Sequence, residues 1–272
     1  MKKAPQRKKT PQRTKATAKG SRPVYLMLRG LGRETGHWGA FREEIESRYE
    51  IYALDLPGAG SERHRSCPLT IEEIVDDIRE RWLRIKEERQ LRDAGLFAIS
   101  LGGMIALSWI SRYPDDFSRL ILINSSSRLS PFYRRLRPAS YPDFVYAMLT
   151  RHRERRENRM FSRTCNSDAD RESKVGVWIR MSAERPLKRS TFFRQLWAAS
   201  RFVLPEKIDL PALFLGASRD RLVHVQCSRD LAAHYGVDLI EHPWAGHDLT
   251  TDDGPWVLEQ MKQFERRLNA RR

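Results

Sequence analysis

Residues 94–111, AGLFAISLGGMIALSWIS, run eighteen positions without a charged side chain, and what this stretch becomes decides what the chain can fold into. A membrane-spanning helix needs about 20 mainly apolar residues, so the run sits at the lower limit. Its character also changes halfway. Leu96-Phe97-Ala98-Ile99 is a short apolar run of the kind a buried strand uses. Ser100 and Gly102-Gly103 then signal a turn, and a mostly apolar helical stretch over 102–113 stops before Pro114. A strand, a tight turn and a buried helix fit this pattern better than a membrane span, and they call for a sheet covered on both faces. No other stretch reaches span length, so the chain reads as soluble.

The same rhythm recurs on either side. Val24–Leu28 (VYLML) ends at Arg29-Gly30, and Ile51–Leu56 (IYALDL) closes on Pro57-Gly58-Ala59-Gly60. Leu120–Ile123, Ala212–Leu215 and Val237–Ile240 complete the predicted strands. Helical spacing runs from Trp38 through Ile45 and over 256–268. It is clearest in Ile71, Ile74, Val75, Ile78, Trp82 and Ile85, behind a Thr70/Glu73 capping box. Strands alternating with helices imply an α/β fold, a mainly parallel twisted sheet with helices on both faces. Residues 128–203 break the rhythm and show no strand pattern, which predicts an α-helical insertion. The expected organisation is a disordered tail over 1–23, a core from 24–127 and 204–272, and the helical insertion between its halves.

Charge separates these parts. The chain has 50 Lys+Arg against 35 Asp+Glu. Residues 1–23 hold nine of the cations and no acid, while 128–203 hold 18 cations and seven acids, so the rest is mildly acidic. The tail lacks the apolar stretch of a secretory signal and is too polar to bury a core. Cys67, Cys165 and Cys227 are far apart and show no CxxC pairing, which argues against a disulfide scaffold and a structural zinc site and suits a reducing, cytoplasmic setting. The other histidines, His37, His64, His152, His224, His234 and His242, lack metal-ligand spacing and read as surface or packing residues. No cofactor or metal is expected. The Gly30-Leu31-Gly32 loop lacks the third glycine and the acid of a dinucleotide site.

The strongest chemical feature is Ala98-Ile99-Ser100-Leu101-Gly102-Gly103, set between a strand and a helix. Small neighbours at −2 and +2 let the backbone turn sharply enough to project a serine hydroxyl, in a pattern usually written G-x-S-x-G; here Ala98 takes the first position. Taken alone, the motif equally describes a structural serine. Two further polar residues follow strand ends, Asp220 in Gly216-Ala217-Ser218-Arg219-Asp220-Arg221-Leu222-Val223 and His247 after Pro243-Trp244-Ala245-Gly246. Functional groups of open α/β sheets gather at the carboxyl ends of strands.

With these motifs, the Arg29-Gly30 loop and Asp55-Leu56-Pro57-Gly58-Ala59-Gly60-Ser61, the sequence resembles the α/β-hydrolase superfamily over nearly everything after residue 23. Within it, the layout looks most like small carboxylesterases that cleave a pimeloyl acyl-carrier-protein methyl ester. The resemblance implies a serine hydrolase cleaving a carboxylic ester or thioester, with Ser100 as nucleophile, His247 as base and Asp220 as orienting acid. It points to the backbone N–H groups of Leu31 and Leu101 as the oxyanion hole. Arg29 stands where most relatives have histidine, which would alter how the loop is braced or place a cation near the acyl pocket. Asp248 is expected to be an orienting or solvated group rather than the triad acid. Related chemistry on the same three residues, such as perhydrolysis or a lyase reaction, stays open.

In this superfamily an insertion at 128–203 usually forms a lid. Phe132, Tyr133, Tyr141, Phe144 and Met148 are candidates to line an acyl pocket beneath it. Arg128, Arg134, Arg135, Arg137, Arg151, Arg153, Arg155, Arg156, Arg159 and Arg163 are read either as a solvated helical surface or as a site for an acidic substrate or carrier protein. The alternative to an enzyme is a non-catalytic or weakly catalytic protein binding anionic partners (lipid, nucleic acid or an acidic carrier) through tail and lid; nucleic acid is the least expected of these.

Overall fold

The computed structural model describes residues 22–270, so apart from Arg22 and Pro23 the basic tail lies outside the described residues. Six strands, β1 (Val24–Leu28), β2 (Glu50–Ala53), β3 (Gly95–Ile99), β4 (Arg119–Ile123), β5 (Ala212–Ala217) and β6 (Leu239–His242), form one sheet in the order β2-β1-β3-β4-β5-β6. Every pairing is parallel. The charge-free run supplies β3 and helix α3 (Leu101–Arg112).

Strand alternation explains the two-layer cover. Leu26, Leu28, Leu96, Ala98, Leu120 and Leu122 point to one face and pack with α2 (Ile71–Glu88) and α3. Their neighbours Tyr25, Met27, Phe97, Ile99, Ile121 and Ile123 point to the other. There they meet α1 (Ala40–Glu46) and the long C-terminal helix over Gly254–Ala270. With both faces buried, the strands read as continuous apolar runs, as the sequence indicates. Helix α2 buries Ile71, Ile74, Val75, Ile78 and Trp82; full burial of such side chains contributes roughly 1.5–3 kcal/mol each. Thr70 caps it by accepting from the Glu73 N–H at 3.2 Å. The Glu73 carboxylate accepts the Thr70 hydroxyl instead of reaching back to the backbone, so only half of the expected capping box forms.

Between β4 and β5 lie five helices, α4 (Phe132–Arg135), α5 (Tyr141–Leu149), α6 (Arg153–Thr164), α7 (Arg171–Glu184) and α8 (Arg189–Arg201). Helices α6 and α7 share a small core of Phe161, Cys165, Val175, Trp178 and Met181. Four details differ from the sequence expectation. Strand β2 ends at Ala53 rather than Leu56. The stretch beginning at Trp38 is a 3-10 turn (Thr35–Trp38) broken from α1 by Gly39, whose φ is +52°. The last strand starts two residues later than VDLI. A helix, α9 (Gln226–Tyr235), bridges β5 to β6; Leu231 is its one large apolar side chain fully buried, too weak a periodicity to stand out. Two short elements complete the chain, α10 (Leu249–Asp252) and α11, the helix over Gly254–Ala270 already mentioned.

Candidate active site

The carboxyl ends of β3, β4 and β5 and the loop after β6 converge on one place. Ser100 occupies the residue between β3 and α3 with φ +58° and ψ −119°, a conformation that costs a non-glycine residue on the order of 1–3 kcal/mol. Its surroundings hold it there. The Ser100 N–H donates to Ile123 O at 2.9 Å. Its carbonyl accepts from Ser125 Oγ at 2.8 Å and from the Gly103 N–H at 2.9 Å. The glycines are steric requirements: a Cβ on Gly30 would lie 2.9 Å from Ser100 Cβ, and one on Gly102 would lie 2.6 Å from the Leu28 carbonyl oxygen. Ala98 is admissible at the motif's first position because its methyl group points into the α2/α3 core beside Leu28 and Leu122.

Asp220 follows β5 and is almost fully buried. Its Oδ1 accepts the N–H groups of Leu222 (2.7 Å) and Val223 (2.9 Å), which fixes the carboxylate plane. Its Oδ2 lies 2.7 Å from His247 Nδ1. His247 is buried as well, and it lines a small cavity of about 40 Å³ together with Ser100. Thus the structure brings Ser100, His247 and Asp220 to one place from three strand ends.

Asp248, the neighbour of His247, is not solvated. It accepts from Arg29 Nη1 (3.2 Å) and Nη2 (2.5 Å), with both side chains only 4% exposed, and from Thr250 Oγ1. Burial alone would raise its carboxyl, but the Arg29 guanidinium beside it, with Arg33 near, holds it well below the usual carboxylate range. Arg29 also lies over the Trp38 ring, 4.5 Å from its centroid. The arginine is therefore a brace between the β1 loop and the His247 loop.

Asn124, just past the end of β4, ties the His247 loop to β5. With φ +46°, it donates from Nδ2 to His247 O at 2.9 Å and accepts the Ala217 N–H on Oδ1 at 2.8 Å. The signal that marks it is a polar run, Asn124–Ser127, directly after a buried strand and itself buried. His242 packs as expected: its Nδ1 accepts the Ala245 N–H at 3.0 Å and its Nε2 lies 3.2 Å from Asp253, which shapes the turn before His247. His37 is buried, and burial, with Arg33 and Arg29 near, pushes its pKa well down. Among the described residues, no cluster of three His, Cys, Asp or Glu side chains is placed to hold a metal, and no helix is long and apolar enough to cross a membrane. Cys67, Cys165 and Cys227 are free and buried.

Leu101 opens α3, where a first-turn N–H has no intrahelical acceptor, and Leu31 lines three cavities, two of which also include Ser100. The larger of these two, about 250 Å³, is mostly apolar: Phe132, Tyr141, Phe144 and Leu196 from the inter-strand helices line it with Ser100, Leu101 and Met104. A neighbouring cavity, about 230 Å³, takes Phe144 and Met148 with several charged groups. Tyr133 lines neither and is half exposed. Many of the arginines of this segment are committed internally. Arg159 and Arg163 share Asp143, Arg156 pairs with Glu157, and Arg135 donates to Ala199 O. Arg151, Arg153 and Arg155 stand exposed around the start of α6.

Residues 21–254 match the family described as Hydrolase 4, serine aminopeptidase, S33. The chain belongs to this family. The hydrolase is 27% identical over 247 residues to the "Putative carbamate hydrolase RutD" of Klebsiella pneumoniae (strain 342), covering 85% of this chain and 86% of that one. It is 29% identical to the pimeloyl-[acyl-carrier protein] methyl ester esterase of Chromobacterium violaceum over 109 residues, 40% of this chain and 39% of the esterase. In three dimensions it resembles the 2-hydroxy-6-oxo-6-phenylhexa-2,4-dienoate hydrolase of Rhodococcus sp. strain RHA1, with a TM-score of 0.73 at 18% identity, over 90% of this chain and 91% of the other. The fold of the hydrolase is thus the α/β-hydrolase fold, as the sequence motifs imply.

Proposed function

We propose that this hydrolase cleaves a carboxylic ester or thioester through an acyl-enzyme on Ser100. The observation that carries the reading is the His247–Asp220 contact at 2.7 Å, made on Nδ1, beside a serine held in a strained turn on the same cavity. With Nδ1 engaged, Nε2 is the nitrogen left to take the Ser100 proton as Oγ bonds to the substrate carbonyl carbon. Asp220 holds the tautomer and stabilises the imidazolium. The developing oxyanion is received by the N–H groups of Leu101 and Leu31. Collapse breaks the bond to the leaving group, which departs with the proton from His247. Water, deprotonated by the same histidine, then attacks the acyl carbon and frees the acid and the serine. Carbamates, named for the long curated match, fall within the same acyl chemistry.

In this reading residues 128–203 act as a lid, and the cavities that meet at Ser100 take the acyl and leaving-group parts of the substrate. The exposed Arg151, Arg153 and Arg155 are what is left on α6 and its N-terminal flank to attract an acidic carrier, and buried free thiols suit a cytoplasmic setting. Labelling with a fluorophosphonate probe followed by peptide mapping tests the proposal: the expected adduct is on Ser100, absent in Ser100→Ala. A labelled Ser100→Ala variant, or an adduct on another residue, would refute it.

A further inference from the structure

The charged cavity that borders the catalytic one carries more positive charge than its walls neutralise. Arg33, Arg156, Arg185, Lys188 and Arg189 line it against Glu34 and Glu157. Two of these cations are matched: Arg185 grips Glu34 through three contacts of 2.7–3.0 Å, and Arg156 Nε holds Glu157 Oε1 at 2.8 Å. Lys188 and Arg189 are exposed. Arg33 is the inner one, and it lines both this cavity and the small one that contains Ser100 and His247.

Arg33 is held but not satisfied. Its guanidinium stacks 4.0 Å from the Trp178 centroid. Its nearest acid is Glu157, with Oε2 4.0 Å from Nη1, and that carboxylate is already engaged by Arg156. Asp248, farther off, is committed to Arg29. The Nη2 nitrogen is buried and has no hydrogen-bond partner among the described residues. Burial lowers the pKa of the group from its ordinary value, against the pull of Glu157 and Asp248. A buried cation with an unpaired donor is costly, and the Arg33 side chain lines both cavities, where a bound molecule meets it.

We propose that Arg33 receives a carboxylate carried on the acyl part of the substrate, so that the preferred substrate is a half-ester of a short dicarboxylic acid. This rests on the hydrolysis proposed at Ser100 and names its substrate class. A monoanion fits better than a phosphate, because a second negative charge would face Glu157 and Asp248. The planar guanidinium supplies a charge-assisted hydrogen bond that a neutral acyl chain forfeits.

The test compares kcat/KM for the monomethyl esters of succinic, glutaric and adipic acids with those for methyl butyrate, valerate and hexanoate. The expected wild-type ratio favours the charged ester of at least one length by about 10–100-fold. Arg33→Gln is expected to collapse that ratio, and Arg33→Lys to restore part of it. A wild-type ratio at or below one for every length overturns the carboxylate assignment while leaving hydrolysis at Ser100 intact. Calorimetric titration of unmutated protein with glutaramate, a monoanion, gives a readout independent of turnover and of variant folding. Saturable binding that valeramide does not reproduce supports the site, and absence of binding overturns it even if no ester is cleaved. Fluorophosphonate labelling of Ser100 judges the hydrolase reading separately.

Discussion

Replacing Asp248 by asparagine strands the Arg29 guanidinium in a place that water barely reaches. The two side chains meet through two hydrogen bonds, each side chain is only 4% exposed, and Nε of Arg29 already lacks a partner. Removing one member of a buried pair costs about 3–5 kcal/mol, because the remaining charge keeps its desolvation penalty without its compensation. For a chain of this size that corresponds to a fall in Tm on the order of 10 °C. The pair also makes a signed contribution to pH dependence. The Asp248 carboxyl titrates below its unfolded value, so the unfolded chain binds more protons in the acid range. The stabilisation is fully present above roughly pH 5 and is lost as pH falls below it. Urea melts of wild type and Asp248→Asn between pH 3 and 7 should therefore converge toward acid, with the variant showing the shallower slope. Arg29→Met combined with Asp248→Leu should recover much of the loss, since an apolar pair carries no unpaired charge. A destabilisation below about 1 kcal/mol for Asp248→Asn, or no convergence at low pH, would refute the bracing role.

Asp220→Asn, which disturbs the contact to His247 Nδ1, should lower ester turnover by up to about 10⁴; a stopped assay on methyl esters reads it, and an equal loss in Asp248→Asn instead would exchange the two acids. Gly30→Ala puts a methyl carbon 2.9 Å from Ser100 Cβ and 3.3 Å from its Oγ, so fluorophosphonate labelling should slow by tenfold or more, about 1.4 kcal/mol in the barrier. Asn124→Ala removes the acceptor of the buried Ala217 N–H and the donor to His247 O; the expected cost is about 1–3 kcal/mol in urea unfolding.

Local patterns announced most of the architecture because each strand and its helix are coded within about ten residues. The apolar runs, Thr70, and the Gly58 and Gly60 turn all act within their own neighbourhoods. The positions of Ser100, Asp220 and His247 at strand ends were legible for the same reason: a polar residue just beyond a buried strand stands out. What was illegible depends on pairs remote in sequence. Arg29 and Asp248 are 219 positions apart, and nothing in either neighbourhood announces the other. Asn124 and His247 are 123 positions apart, and an asparagine after a strand is also an ordinary turn residue. Helix α9 escaped notice because its buried stripe sets a single large apolar side chain, Leu231, among Cys227, Ser228 and Ala232, small groups that bury well yet contribute little contrast.

The clamp formed by Asn124 has an architectural consequence. It stands at the root of the chain's departure into the five helices between β4 and β5, yet its side chain ties back to β5 and to the His247 backbone. The His247 backbone is thereby anchored from a point upstream of the segment that shapes the surrounding walls. Of the helices that follow, only the end of α6 reaches the same loop by hydrogen bonds among the described residues: Thr164 O accepts the Asp248 N–H at 2.8 Å and, just beyond the helix, Asn166 Nδ2 donates to Trp244 O at 2.9 Å. Variation elsewhere in the segment leaves the imidazole in register.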